Sequence, residues 1–155
     1  MTMHAPSISS GFDVPAGVAL GVIEGQPGTI HLPRGLPGFA SARSFRLEQP
    51  AASGAPFIQL RSTEQPMLSF VVLPVAADLQ LLATADCHAV CRELRIDPGD
   101  LLMLLMVTLE PDPAGLAAFA NLRAPLFVDT ERHLGWQVVL PARHYPIRYP
   151  LRTTR

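Results

Sequence analysis

Leu101-Leu102-Met103-Leu104-Leu105-Met106-Val107-Thr108-Leu109 is the stretch on which the fold turns. Its leucines and methionines favour helix. It is only nine residues long, however, and two turn compositions bracket it, Asp97-Pro98-Gly99-Asp100 and Glu110-Pro111-Asp112-Pro113. A continuous apolar run needs cover on every side, and this length between two turns suits a strand buried on both faces. The run is therefore read as a strand. It is also far short of the ~20 residues that a helix needs to cross a bilayer.

Working outward, the prolines set the punctuation. The 155 residues carry 16 prolines, and most of the intervals between them have the spacing of turns between short strands. Val18 to Ile23 and Gly28 to Leu32 read as a hairpin across Glu24-Gly25-Gln26-Pro27. Ser44 to Leu47 and Phe57 to Ser62 are further strands, and Leu68 to Leu73, apolar on both faces and ending at Pro74, reads as a central one. Asp78 to Ala83 is another candidate. Pro125 to Asp129 and Trp136 to Leu140 form a hairpin across Thr130 to Gly135, and Tyr145 to Leu151 adds an edge strand, since its prolines forbid a central place.

The one long proline-free interval, Val75 to Asp97, holds the helix. From Asp86 to Leu94 the apolar residues Cys87, Val90, Cys91 and Leu94 stand at i, i+3, i+4 and i+7, with Thr84 or Asp86 as the cap. The expected architecture is mainly β: a small antiparallel, barrel-like domain of eight to ten short strands with one short helix. Residues 1–16, rich in Ser, Pro and Gly, read as a flexible leader; they lack the basic and continuous apolar regions of a signal peptide, which points to a cytoplasmic protein.

Composition excludes several classes. Hydrophobic residues make up 48% of the chain, too many for a disordered protein, and two cysteines are too few for a secreted disulfide scaffold. A formal net charge of −1 gives no electrostatic reason to bind nucleic acid or an anionic membrane. Cys87-His88-x-x-Cys91 has no second ligand pair for a structural zinc, and both cysteines lie on the apolar helix stripe, so they read as small core hydrophobes. The five histidines include no i, i+4 pair, and the acidic pairs are turn chemistry. Neither a nucleophile elbow nor a phosphate or dinucleotide glycine loop is present. No enzyme, metal or cofactor is expected. One basic cluster allows a different reading: Arg143, Tyr145, Arg148, Tyr149 and Arg152 could stack on single-stranded nucleic acid.

Gly35-Leu36-Pro37-Gly38-Phe39 is a tight turn in which two glycines permit positive φ, Pro37 fixes φ, and Leu36 and Phe39 anchor the loop. This GLPGF segment resembles the flagellar assembly factor FliW family. Further segments follow in the family's order: Pro56-Phe57-x-x-Leu60-x-Ser62, Phe70-Val71-Val72 with Pro74, Glu110-Pro111-Asp112-Pro113, Asn121-Leu122-Arg123-Ala124-Pro125-Leu126, and Gln137-Val138-Val139-Leu140 with Tyr145 and Arg148. The resemblance covers about residues 18 to 151. It implies a barrel domain over residues 17–151 with a tail at 152–155.

The resemblance also implies a non-enzymatic, cytoplasmic chaperone-like protein, monomeric when alone. Its partners would be flagellin and CsrA, a small RNA-binding dimer that represses flagellin translation. The two would exchange on it: accumulated flagellin occupies the protein and frees CsrA to repress. Expected partner-facing residues are Phe39, Asn121, Leu122, Arg123 and Arg148. Gly35, Leu36, Pro37, Gly38, Phe39, Ala124 and Pro125 form the fold-defining motifs. Pro125 cannot donate a ladder hydrogen bond, so Asn121 to Pro125 is expected to enter an edge strand. One departure stands out: where the family often has threonine two residues before the asparagine, this chain has Phe119.

Overall fold

The computed structural model describes residues 28–48, 57–75, 81–141 and 143–151. The sequence-deciding run forms β5, Leu101–Asp112, three residues longer than the apolar stretch. Around it lie β1 (Ile30–His31), β2 (Ser44–Glu48), β3 (Ile58–Ser62), β4 (Ser69–Val75), β6 (Gly115–Ala120), β7 (Leu126–Asp129), β8 (Leu134–Gln137) and β9 (Tyr149–Leu151). The helix α1 spans Thr84–Leu94. The strand order is β4-β3-β2-β1-β8-β7-β5-β6-β9, and β4 also pairs with β5. That second pairing closes seven strands into a barrel and leaves β6 and β9 outside the ring.

The closure explains why β5 is apolar at every position from Leu101 to Val107. Its even-numbered residues Leu102 and Leu104 join Ile30, Leu60, Val72 and Leu126 inside the barrel. Its odd-numbered residues Met103, Leu105 and Val107 face outward, and there Cys87, Val90 and Cys91 of α1 join them in a second core. A strand that is interior wall on one side and helix bed on the other has no polar face to offer.

β5 also branches. Leu104 pairs with Pro74 of β4 on one edge and Leu126 of β7 on the other; Val107 pairs with Val71 and with Ala120 of β6. β6 and β7 therefore lie along the same edge of β5, separated by the break at residues 121–125. Beyond Val107, β5 leaves the barrel and, with β6 and β9, forms a three-stranded arm.

Several expectations are corrected. The helix begins at Thr84, two residues earlier than expected, and neither Thr84 nor Asp86 caps it: its N-cap is Ala83, with no side-chain cap. The Ala83 N–H instead donates to the Tyr145 hydroxyl (3.1 Å), which in turn donates to Asp86. Residues 81–83 of the candidate strand Asp78 to Ala83 are not strand but lead into the helix, and 78–80 lie outside the described residues. So do Val18 to Ile23, the leader and the tail.

β4 runs through Pro74 instead of ending at it, because Pro74 pairs with Leu104 at a position where its nitrogen points away from β5, past the start of β3. β7 is no edge strand, being paired with both β5 and β8. In the β7–β8 hairpin β8 starts two residues earlier than expected, at Leu134, and ends at Gln137 instead of Leu140, and the terminal strand is confined to Tyr149–Leu151. One pairing, β1 with β8, is parallel. β6 went unread because Gly-Leu-Ala-Ala-Phe-Ala carries little β preference; the turn after Asp112, whose Oδ1 accepts from Ala114 N–H (2.6 Å), folds it back on β5.

Arg132 joins the helix to the barrel. Its Nε donates to Asp129 Oδ2 (2.7 Å), and its Nη2 donates to the last carbonyls of α1, Leu94 and Arg95 (3.1 Å each). Burial pushes the Asp129 carboxyl up, but the hydrogen bonds from Arg132 and from the Arg132 and Glu131 N–H groups outweigh it and hold the group below its ordinary value of 3.8. Its contribution to stability is therefore present above that value and lost as pH falls through the lowered one. Arg132→Ala is expected to cost about 2 kcal/mol at neutral pH, as a charged group loses its hydrogen bonds. In urea titrations the gap from the parent should narrow once the pH drops below the depressed Asp129 value, leaving the part that the bonds to the Leu94 and Arg95 carbonyls contribute.

Candidate functional site

Strand ends gather at one mouth of the barrel. β1 ends there and β2 begins there, and the connection between them, residues 32–43, contains the glycine-rich turn. Gly35 N–H donates to Leu32 O (2.9 Å) and Phe39 N–H to Leu36 O (2.8 Å). Gly35 and Gly38 have φ of 64° and 84°. A Cβ on Gly35 would stand 2.7 Å from the Ala40 Cα, so that position takes glycine on two counts. The turn drives Leu36 into the barrel core, while the half-exposed Phe39 packs edge-on against Phe70 with ring centroids 5.5 Å apart.

Across the mouth stands the junction between β6 and β7. Asn121 N–H donates to Met106 O (2.9 Å), and the Asn121 Oδ1 accepts from the N–H groups of Arg123 (2.9 Å) and Ala124 (3.3 Å). Leu122 N–H reaches Pro146 O (3.0 Å) and Arg123 Nε reaches Tyr145 O (3.0 Å). The carbonyls of Arg123, Ala124 and Pro125 accept from Leu140 N–H, Gln137 Nε2 and Val138 N–H. The N–H groups of this detour from Leu122 to Ala124 are thereby satisfied by side chains and loop carbonyls, and its carbonyls from Arg123 to Pro125 extend the β7–β8 register.

Between the two segments opens a cleft of about 620 Å3. Leu36 and Pro37 form one wall, Asn121, Ala124, Gln137 and Val139 another, and β4 and β5 contribute Ser69–Val71 and Met106–Thr108. The lining is mostly apolar, and Val139 is 73% exposed. Among the described residues no three His, Cys, Asp or Glu side chains stand together as metal ligands. Burial pushes the Cys87 thiol up to about 11 and raises Cys91 as well, so neither supplies a thiolate near neutral pH.

The expected site residues divide accordingly. Leu36, Pro37, Asn121 and Ala124 line the cleft, and Phe39 joins its rim through Phe70. Leu122 is buried in the outer core, Arg123 is bonded back to Tyr145, and the buried Pro125 leads into β7. Arg148 lies on the arm. It is paired with Glu110 (2.7 Å), its guanidinium carbon stands 3.9 Å from the Phe119 ring centroid, and the hydrogen bond holds the Glu110 carboxyl low.

Met106, Thr108 and Glu110 alternate onto one face of β5, and Thr108 pairs with Phe119. The barrel lining thus continues out of the mouth onto the arm face where Arg148 sits. Sequence reading missed Phe70, Met106, Thr108, Gln137 and Val139; the period-two continuation from Leu104 through Met106 to Thr108 was the available signal. Of the basic cluster, Tyr145 is buried and Tyr149 packs against the outer core, so neither ring lies open for stacking, while Arg152 lies outside the described residues.

Comparison with known proteins agrees with this geometry. The family model for FliW protein matches residues 19–151. The flagellar assembly factor FliW of Geotalea uraniireducens (strain Rf4) is 34% identical over 126 residues, covering 78% of this chain and 72% of the relative. Its counterpart in Geobacter sulfurreducens is 34% identical over 125 residues, covering 78% and 74%. A solved structure, the crystal structure of the flagellar assembly factor FliW, superposes with a TM-score of 0.64 at 27% identity, over 79% of this chain and 84% of that one. Since the match runs from before β1 to the end of β9 and takes in both walls of the cleft, the chain belongs to the FliW family.

Proposed function

We propose that this protein serves flagellar assembly in the cytoplasm by binding flagellin and CsrA in alternation, so that flagellin export releases translation of flagellin message. The observation that supports this reading is the apolar cleft at the barrel mouth. Its walls take Leu36 and Pro37 from the Gly35–Phe39 turn and Asn121 and Ala124 from the Asn121–Pro125 segment, the two segments that carry the family resemblance. An open apolar surface with a polar rim is the composition of a protein-docking site. Partner binding requires no catalytic group, and among the described residues no helix is long and apolar enough to cross a membrane.

The test is gel filtration of the purified protein mixed with flagellin monomer and, separately, with CsrA. Co-migration with each, and displacement of one by the other, is the expected result. Because binding couplings are reciprocal, each partner should weaken the other by the same factor. A stable ternary complex would remove the switching mechanism, and failure of both mixtures to co-migrate would remove the function.

A further inference from the structure

The arm has two strand edges that no described strand covers. On β5 that edge begins after Val107, the last residue paired with β4; on β9 it is the whole side away from β6. Unpaired edges are templates for another chain's strand. Backbone parity shows what each one offers. Met106 O accepts from Asn121 N–H, so even-numbered β5 residues direct their backbone groups toward β6, and odd-numbered ones point the other way. Beyond Val107 the outward positions are therefore Leu109 and Pro111.

The same alternation carries across β6. Thr108 and Phe119 exchange ladder bonds, so Ala118 and Ala120 direct theirs to β9, and Pro150, opposite Phe119, points its nitrogen and carbonyl outward. Each edge thus carries a proline at an outward-pointing position, where an N–H would otherwise be offered. Leu109 is the one remaining outward N–H on the described edges. Both prolines are exposed, and Leu109 and Leu116 add exposed apolar side chains beside Pro111.

We infer that Pro111 and Pro150 prevent copies of this chain from joining edge to edge, by closing both edges of the arm to strand addition. A second copy is the relevant occupant, because it brings an arm of the same length and twist and the same exposed leucines.

The test replaces each proline separately. Neither makes an inward ladder bond, so Pro111→Val and Pro150→Val keep the internal pairing intact. Light scattering over a concentration series is expected to show the apparent mass of each variant rising to twice that of the parent. In Pro111→Val the Leu109 amide should become protected from hydrogen exchange as concentration rises. Variants with parental circular dichroism and parental mass at every concentration would overturn the inference. So would a result on the unaltered protein, which needs no variant to fold: a Leu109 amide whose protection grows with concentration would mean that the edges pair despite the prolines.

Discussion

Leu104→Ala is expected to lower the free energy of unfolding by about 3 to 4 kcal/mol, as for other leucines deleted from cores that cannot collapse around the void. Leu104 is fully buried inside the barrel, between Pro74 of β4 and Leu126 of β7. Neighbours on three closed strands cannot close the space without breaking ladder bonds. Leu109, five residues further along the same strand, has left the barrel and is partly exposed, so Leu109→Ala should cost under about 1 kcal/mol. Chemical denaturation of the two variants against the parent checks the contrast. Equal costs would mean that β5 is not buried differently inside and outside the ring. Against a total stability of about 5 to 15 kcal/mol, the first change removes a large fraction.

Val139→Arg is expected to weaken binding of both flagellin and CsrA by roughly 10- to 100-fold while leaving the fold intact, the loss associated with disrupting a central interface contact. Val139 lines the cleft yet is mostly exposed, so the arginine can reach solvent in the free protein and costs folding within about 0.5 kcal/mol. In a complex it would be forced into an apolar contact without a partner. Met67→Arg, at a still more exposed site that does not line the cleft, is the matched control and should bind as the parent does. Titration calorimetry of each variant with each partner measures the effect. Normal binding by Val139→Arg would remove the cleft as the docking surface. Loss of one partner alone would place the two on different surfaces and make their exchange a coupling between sites.

The reach of the sequence can be judged element by element. β3, β5 and the helix were legible because each carries a period or run that one face of the fold must bury: alternation in Ile58 and Leu60, continuity in Leu101 to Leu109, and the Cys87-Val90-Cys91 stripe. β6 was not legible. Alanine and glycine have no strong strand preference, and the partner that makes this segment a strand lies across a turn. Nor was the helix start legible. The group that takes the Ala83 N–H is the Tyr145 hydroxyl, 62 residues along the chain.

The site was half legible in the same sense. Leu36, Pro37, Asn121 and Ala124 stand in recognisable motifs and do meet at one cleft. Phe70, Met106, Gln137 and Val139 come there because strand ends converge, which no local pattern records. Leu122 and Arg148 show the reverse, since neighbourhood in sequence does not decide which way a side chain turns.

What the sequence determined by itself was the alphabet of elements: a strand at 101–109 too short for a membrane helix and too apolar for an edge, one helix in the single proline-free window, and a glycine-proline turn at 35–39. These follow from local sterics and from the requirement that apolar periodicity find a core. Only the tertiary structure decided that β5 serves two parts of one sheet, barrel wall as far as Val107 and arm beyond it. Hydrogen-bond partners across a sheet are chosen by the whole closed ring. The same applies to the prolines. The sequence places Pro74, Pro111 and Pro150 in or beside strands, but which side of the strand each nitrogen faces, and hence whether it interrupts nothing or guards an open edge, depends on register with strands distant in the chain.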